Sequence, residues 1–251
     1  MFNKILKEIM SLKNEEKANF LSGFFKTGKG EYGEGDIFLG ITVPLSRQIA
    51  QKYGELSLLE VEKLLKNKYH EVRLIALLIL VHKYKICAKQ NITKKVSSAS
   101  SSSLRATADQ REIVDFYLEH TKYINNWDLV DLSAHYILGN YLINKNRKIL
   151  LKLAKSKDIW ERRIAIISTF AFIYKGEGEW TFKIVEILMK DKKDLIHKAC
   201  GWMLREVGKR VKEKDLILFL DEHWSNMPRT MLRYAIERLP EVKRKYYLNK
   251  K

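Results

Sequence analysis

The chain has 251 residues, 46% of them hydrophobic, and a formal net charge of +17 from 47 Lys and Arg against 30 Asp and Glu. That is enough apolar material for a full core in one or two domains, and far more positive charge than solubility requires, so a polyanion is the expected partner, nucleic acid or an anionic membrane surface. Three Pro and 12 Gly are too few to punctuate a sandwich or barrel, which leaves helix as the favoured element.

Taken in chain order, apolar residues at three- and four-residue spacing predict helices over Phe2–Met10, Ala18–Phe25, Leu45–Tyr53, Leu58–Leu65, Val72–Tyr84 and Ile113–Leu118. The pattern continues through Leu129–Leu142, Leu150–Leu153, Arg163–Tyr174, Trp180–Met189, Leu195–Val207, Leu216–Leu220 and Met231–Leu239, with no convincing strand. Asn14, Ser57 and Asp194 stand where N-caps belong, and the short connections imply antiparallel neighbours. The longest apolar stretch, Leu74 to Val81, is far too short to cross a bilayer. MFNKILKEIM lacks the apolar core and cleavage site of a secretion signal, so a soluble cytoplasmic protein is expected. Cys87 and Cys200, without CxxC or a His at ligand spacing, suggest neither a disulfide nor a metal site.

The longer helices align with one another on their starts: YHEVRLIALLIL from Tyr69, INNWDLVDLSAHYI from Ile124, DIWERRIAIIST from Asp158, DLIHKACGWMLRE from Asp194 and MPRTMLRYAIERL from Met227. After Ile124 the starts recur about every 33 to 36 residues, the length of a helical hairpin repeat. The first interval is lengthened by a Ser-rich stretch, Ala88 to Glu112, read as a flexible insertion in a connection. The fold expected is therefore all-α, a right-handed α-solenoid of about six HEAT-like repeats forming one domain over residues 1–251, with a basic concave face.

Chemistry concentrates in NNWDLVDLSAH, where Trp127 and Asp131 lie one helical turn apart and share a face. A ring face beside a carboxylate suits a substrate that becomes cationic; core packing with a local hydrogen bond is the alternative. Trp160 and Arg163 open the next repeat, and Trp202 with Arg205 lie in the one after. Stacked in register, Asp131, Arg163 and Trp202 would come from equivalent helices, and a row of Trp and Arg suits a sugar-phosphate backbone. His135, one turn after Asp131, reads as an ordinary core or surface imidazole. No GxxxxGK[ST], HExxH or GxSxG motif is present.

FLGITVPLSRQIA from Phe38, NNWDLVD from Asn125, IWERRIAI from Ile159 and HKACGWMLREVGKR from His197 together resemble the AlkD-type DNA glycosylases, HEAT-like enzymes that remove cationic alkylated purines from DNA. The resemblance runs over nearly the whole chain. It implies that Trp127, Asp131 and Trp202 form the catalytic set, that Arg163 holds a flanking phosphate, and that Arg205 and Arg162 are further DNA contacts. It implies double-stranded DNA as partner, a monomer, no cofactor, and excision of 7-methylguanine or 3-methyladenine without flipping the base. Phe24 stands where the family has a tyrosine on the DNA face, so the ring is kept and the hydroxyl lost. TGKGEYGEGD from Thr27 is longer and richer in glycine than the family pattern. A non-catalytic protein that binds branched or distorted DNA is the competing expectation, and a protein-binding scaffold the third.

Overall fold

The computed structural model describes residues 1–96 and 109–249, so the centre of the Ser-rich stretch lies outside the described residues. The described residues are all-helical, in an arrangement consistent with an α-solenoid. Their only β-type pairing is an isolated parallel bridge between Ile37 and Tyr69. They divide into two compact units, Met1–Ser133 and Ala134–Lys251.

The first unit holds α1 (Phe2–Ser11), α2 (Glu15–Phe24), α3 (Val43–Lys52), α4 (Leu58–Leu65), α5 (His70–Val96), α6 (Gln110–Glu119) and the short α7 (Trp127–Asp131). Asn14 caps α2 by accepting from Lys17 N at 2.9 Å, and Ser57 and Glu60 form a capping box on α4. Helix α5 packs against α3, α4 and α6. That surround explains its lack of amphipathic character: every residue from Leu74 to Val81 is buried. Each such aliphatic side chain contributes roughly 1.5–3 kcal/mol of transfer free energy. The helix runs to Val96, and α6 begins at Gln110, so both ends of the Ser-rich stretch are helical.

The segment between α2 and α3 is irregular but closely tied. Gly40 has φ +84, and a β-carbon there would lie 2.2 Å from the Asn14 carbonyl oxygen, so the chain can pass the start of α2 only as glycine. Asn14 N donates to Leu39 O at 2.8 Å and His70 N to Ile37 O at 2.8 Å, which fastens this segment between α2 and α5.

The helix expected over Leu129–Leu142 is interrupted. Ser133 Oγ donates to Leu129 O at 2.5 Å and lies 3.0 Å from the Tyr117 hydroxyl, which ends α7 just after Asp131. A π-helical turn, His135–Gly139, follows in the second unit, closed by Gly139 N on Ala134 O at 2.9 Å. Asn140 Nδ2 takes up the displaced carbonyls of His135 and Tyr136 at 3.1 and 3.2 Å. Gly139 permits this turn to lie against Ser168, whose carbonyl oxygen would be 2.3 Å from an added β-carbon.

The second unit continues with α8 (Lys148–Ala154), α9 (Ile159–Ser168), α10 (Phe170–Ile173), α11 (Glu179–Leu188), α12 (Asp194–Arg210), α13 (Glu213–His223), α14 (Arg229–Ala235) and α15 (Glu241–Asn249). Consecutive helices pair, α8 with α9 and α11 with α12. Equivalent helices of successive pairs then stack, α8 on α11, α9 on α12 and α12 on α14, the contact pattern of a helical repeat array. Two expectations are corrected here. Asp194 is the first residue of α12 rather than its cap, and it pairs with Lys198 at 2.7 Å instead. Helix α15, which the periodicity missed, buries only Tyr247 and so carries almost no apolar stripe to detect.

Candidate nucleic-acid site

In the first unit the structure brings Phe24 and Trp127 together. Phe24 is exposed at the end of α2, and its ring meets the Trp127 indole edge-on at 6.0 Å. Trp127 is half-buried. It stacks on the buried Phe25 at 4.9 Å and 13°, and Phe25 in turn stacks on Phe38 at 4.9 Å. A half-buried indole with one face on a rigid aromatic stack can offer apolar contact to a sugar or base edge. Asp131 is the last residue of α7, half-buried, one turn from Trp127. Burial pushes the nearby Tyr117 phenol upward; the bond to Ser133 opposes this and the charge of Asp131 adds to it.

Beneath Trp127 lies a charged network that the sequence reading did not single out. His70, 1% exposed, places Nδ1 2.8 Å from Asp36 Oδ2 and Nε2 2.8 Å from Asp128 Oδ2. Asp36 also pairs with Arg73 and accepts from Asn126 Nδ2 at 3.2 Å. Asn126 is itself the α7 N-cap, with Oδ1 accepting from Trp127 N at 2.8 Å. Next to His70, Glu71 accepts three buried backbone N–H groups, from Leu39 at 2.8 Å, Gly40 at 2.8 Å and Ile41 at 3.1 Å. The signal for this network was present in HEVRLIALLILV, where three polar residues open an otherwise apolar run, and in the Asn and Asp flanking Trp127.

Burial of the His70 ring disfavours its charged form, but Asp128, by charge and hydrogen bond, and then Asp36 outweigh this and push the pKa up to about 9. Burial would likewise raise Asp36, yet His70 and Arg73 hold it below the usual carboxylate range. The folded His70 value lies above its ordinary 6.5, so its stabilising contribution is complete below that pH and lost as pH rises through about 9. Wild type should therefore lose stability relative to His70→Gln between pH 7 and pH 10 in urea titrations. A constant difference over that range would show that the ring is not protonated in the folded protein.

The second unit places Arg162 and Arg163 on α9, and Trp202 and Arg205 on α12, which packs against α9. Arg163 is 5% exposed and donates from Nη1 to Leu195 O on α12 at 2.6 Å. Arg162 pairs with Asp191 through Nε at 2.5 Å and donates to the carbonyls of Ser156 and Lys157 at 2.9 Å each. Arg205 pairs with Glu237 and lies 3.6 Å from Glu206. Trp202 is half-buried, tilted against Phe170 at 5.7 Å, and Phe170 meets His135 at 5.4 Å. Among the described residues no group of three or more His, Cys, Asp or Glu is placed to hold a metal ion. No helix among them is long and apolar enough to cross a membrane.

Comparison with known proteins agrees with this helical architecture. No functionally curated protein matches the chain. A solved structure described as a predicted DNA alkylation repair enzyme from Enterococcus faecalis has a similar fold, with TM-score 0.66 and 18% identity. The match covers 91% of this chain and 97% of that one. The model of the family described as DNA alkylation repair enzyme matches residues 5–239, and the chain belongs to that family, whose role is the repair of alkylated DNA.

Proposed function

We propose that the protein is a DNA glycosylase that hydrolyses the N-glycosidic bond of cationic alkylated purines, such as 7-methylguanine and 3-methyladenine, in duplex DNA without flipping the base. The observation that carries this reading is the position of Asp131. Asp131 is half-buried at the last residue of α7, one turn from an indole held on an aromatic stack.

An alkylated purine already carries positive charge. When the C1′–N bond breaks, its electron pair neutralises the base, which leaves without being protonated, and the deoxyribose becomes oxocarbenium-like. Asp131 stabilises that developing cation and orients the water whose oxygen bonds to C1′, with the water proton passing to the carboxylate or to solvent. Trp127 and Trp202 give the deoxyribose apolar contact. Arg163 binds a flanking phosphate, with Arg162, Arg205 and the ring of Phe24 as further DNA contacts.

The excess of positive charge supports a duplex partner. The direct test is single-turnover release of 7-methylguanine from methylated duplex, run beside gel shifts on branched DNA. Tight junction binding without base release would favour the competing reading, a non-catalytic binder of distorted DNA, for which the missing hydroxyl at Phe24 is the specific observation.

Arg163→Ala should weaken DNA binding and lower the slope of log affinity against log salt by about 1, as loss of one phosphate contact requires. It should also cost about 1–3 kcal/mol of stability, because a buried side chain and its charge-assisted bond to the half-buried Leu195 carbonyl are lost. An unchanged salt slope in a folded variant would remove Arg163 from the phosphate-binding set.

A further inference from the structure

We infer that His70 is a positioning residue for Trp127: clamped between Asp36 and Asp128, its ring holds both chain neighbours of Trp127 and so sets the pose of the indole. The first tie is direct, from His70 Nε2 to Asp128 at 2.8 Å. The second runs from His70 Nδ1 to Asp36 Oδ2 at 2.8 Å, the same oxygen that accepts from Asn126 Nδ2 at 3.2 Å. Residues 126 and 128 are thus fixed from one imidazole, and residue 127 has little freedom to rotate between them. A third path passes through rings. His70 stacks on Phe38 at 4.4 Å, Phe38 on Phe25 at 4.9 Å and Phe25 on Trp127 at 4.9 Å, all with interplanar angles of 26° or less.

The charge count fits a ring that is fully protonated. Both of its nitrogens face carboxylates, which can only accept, so each must carry a hydrogen. The other charged groups around it are Arg73 and Glu71 on α5 and Lys17 on α2, which lines the same cavity of about 410 Å³. Glu71 is turned to the backbone of residues 39–41, and Arg73 to Asp36. His70 and Arg73 therefore balance Asp36 and Asp128. The elevated pKa agrees with that balance. Apolar residues of similar volume can match a buried charged cluster in stability, so its presence here is better explained by orientation than by strength.

The catalytic consequence rests on the glycosylase reading, whereas the placement of Trp127 does not, and the experiment separates them. Protein labelled with 5-fluorotryptophan gives one ¹⁹F resonance for each of five indoles, with Trp127 assigned by Trp127→Phe. His70→Gln should shift or split the Trp127 resonance and leave those of Trp160, Trp180, Trp202 and Trp224 in place. In wild type the Trp127 resonance should move as pH passes about 9, and in His70→Gln it should not. At saturating protein, single-turnover release of 7-methylguanine should fall by about 10- to 100-fold in His70→Gln, with DNA affinity within about threefold of wild type.

A Trp127 resonance at the wild-type position in folded His70→Gln overturns the inference. So does a wild-type release rate in that variant. If wild type itself releases no base, the glycosylase reading fails and the fluorine spectra still decide the role of His70. Should His70→Gln not fold, Asp36→Asn, which keeps the ring and its bond to Asp128, should still shift or split the Trp127 resonance, and a wild-type position there overturns the inference.

Discussion

Asp131→Asn should reduce single-turnover release of 7-methylguanine by at least about 10²- to 10³-fold, the scale of losing one electrostatic stabiliser of a transition state. The substitution keeps the size and hydrogen-bonding reach of the side chain and removes only its charge. What is lost is therefore the interaction with the positive charge that appears on the deoxyribose as the base departs. Binding should change in the opposite sense or not at all, because a carboxylate facing a phosphate backbone repels it. Fluorescence anisotropy and base release on the same preparation check the two outcomes together. Release within about threefold of wild type would remove Asp131 from the reaction.

Glu71→Ala should have the largest effect on folding, a loss on the order of 3–5 kcal/mol. The carboxylate is 2% exposed and is the acceptor for the backbone N–H groups of Leu39, Gly40 and Ile41. Alanine leaves all three buried without that acceptor in a segment that has no regular secondary structure to supply another. The same segment passes beside Asn14 at Gly40 and carries Phe38, on which His70 and Phe25 stack. Loosening it should therefore disturb the aromatic support of Trp127 as well. Glu71→Gln should fall between, because Oε1 alone accepts from Gly40 and Ile41 and an amide oxygen can keep that role, while its NH₂ opposes the N–H of Leu39. Urea titrations of the two variants test this order. A loss below about 1 kcal/mol for Glu71→Ala would mean that the segment finds other acceptors.

Local information was sufficient for most helices because each is specified by neighbours within a turn or two. The spacing of apolar residues placed α4 over Leu58–Leu65, and the cap chemistry of Asn14 and Ser57 lies within three residues of the groups it satisfies. The starts read at Tyr69, Asp158 and Asp194 fall at or next to the first residues of α5, α9 and α12. Where the reading departed from the structure, the cause was a distant partner or a weak pattern. Helix 129–142 is periodic throughout, yet Ser133 turns its hydroxyl to Leu129 O beside Tyr117, 16 residues earlier, and the helix breaks after Asp131. Helix α15 is exposed along nearly its whole length and leaves too little apolar pattern to find.

The candidate site divides in the same way. Trp127 and Asp131 were legible as a pair because a helical turn separates them in sequence as in space. The environments of Arg162 and Arg163 were not: their carboxylate and carbonyl partners, Asp191 and Leu195, lie 29 and 32 residues away. Least legible was the support beneath Trp127. Asp36, His70, Asn126 and Asp128 are separated by 34, 58 and 90 residues along their bonds, and nothing local in any of them requires the others. An all-helical, strongly basic chain with an indole and a carboxylate on one turn follows from composition and periodicity, which are local quantities. The buried His70 beneath that indole's aromatic support, and its pairing with Asp36 and Asp128, follow from the fold alone, because burial and pairing of charge depend on which distant segments come within hydrogen-bond reach.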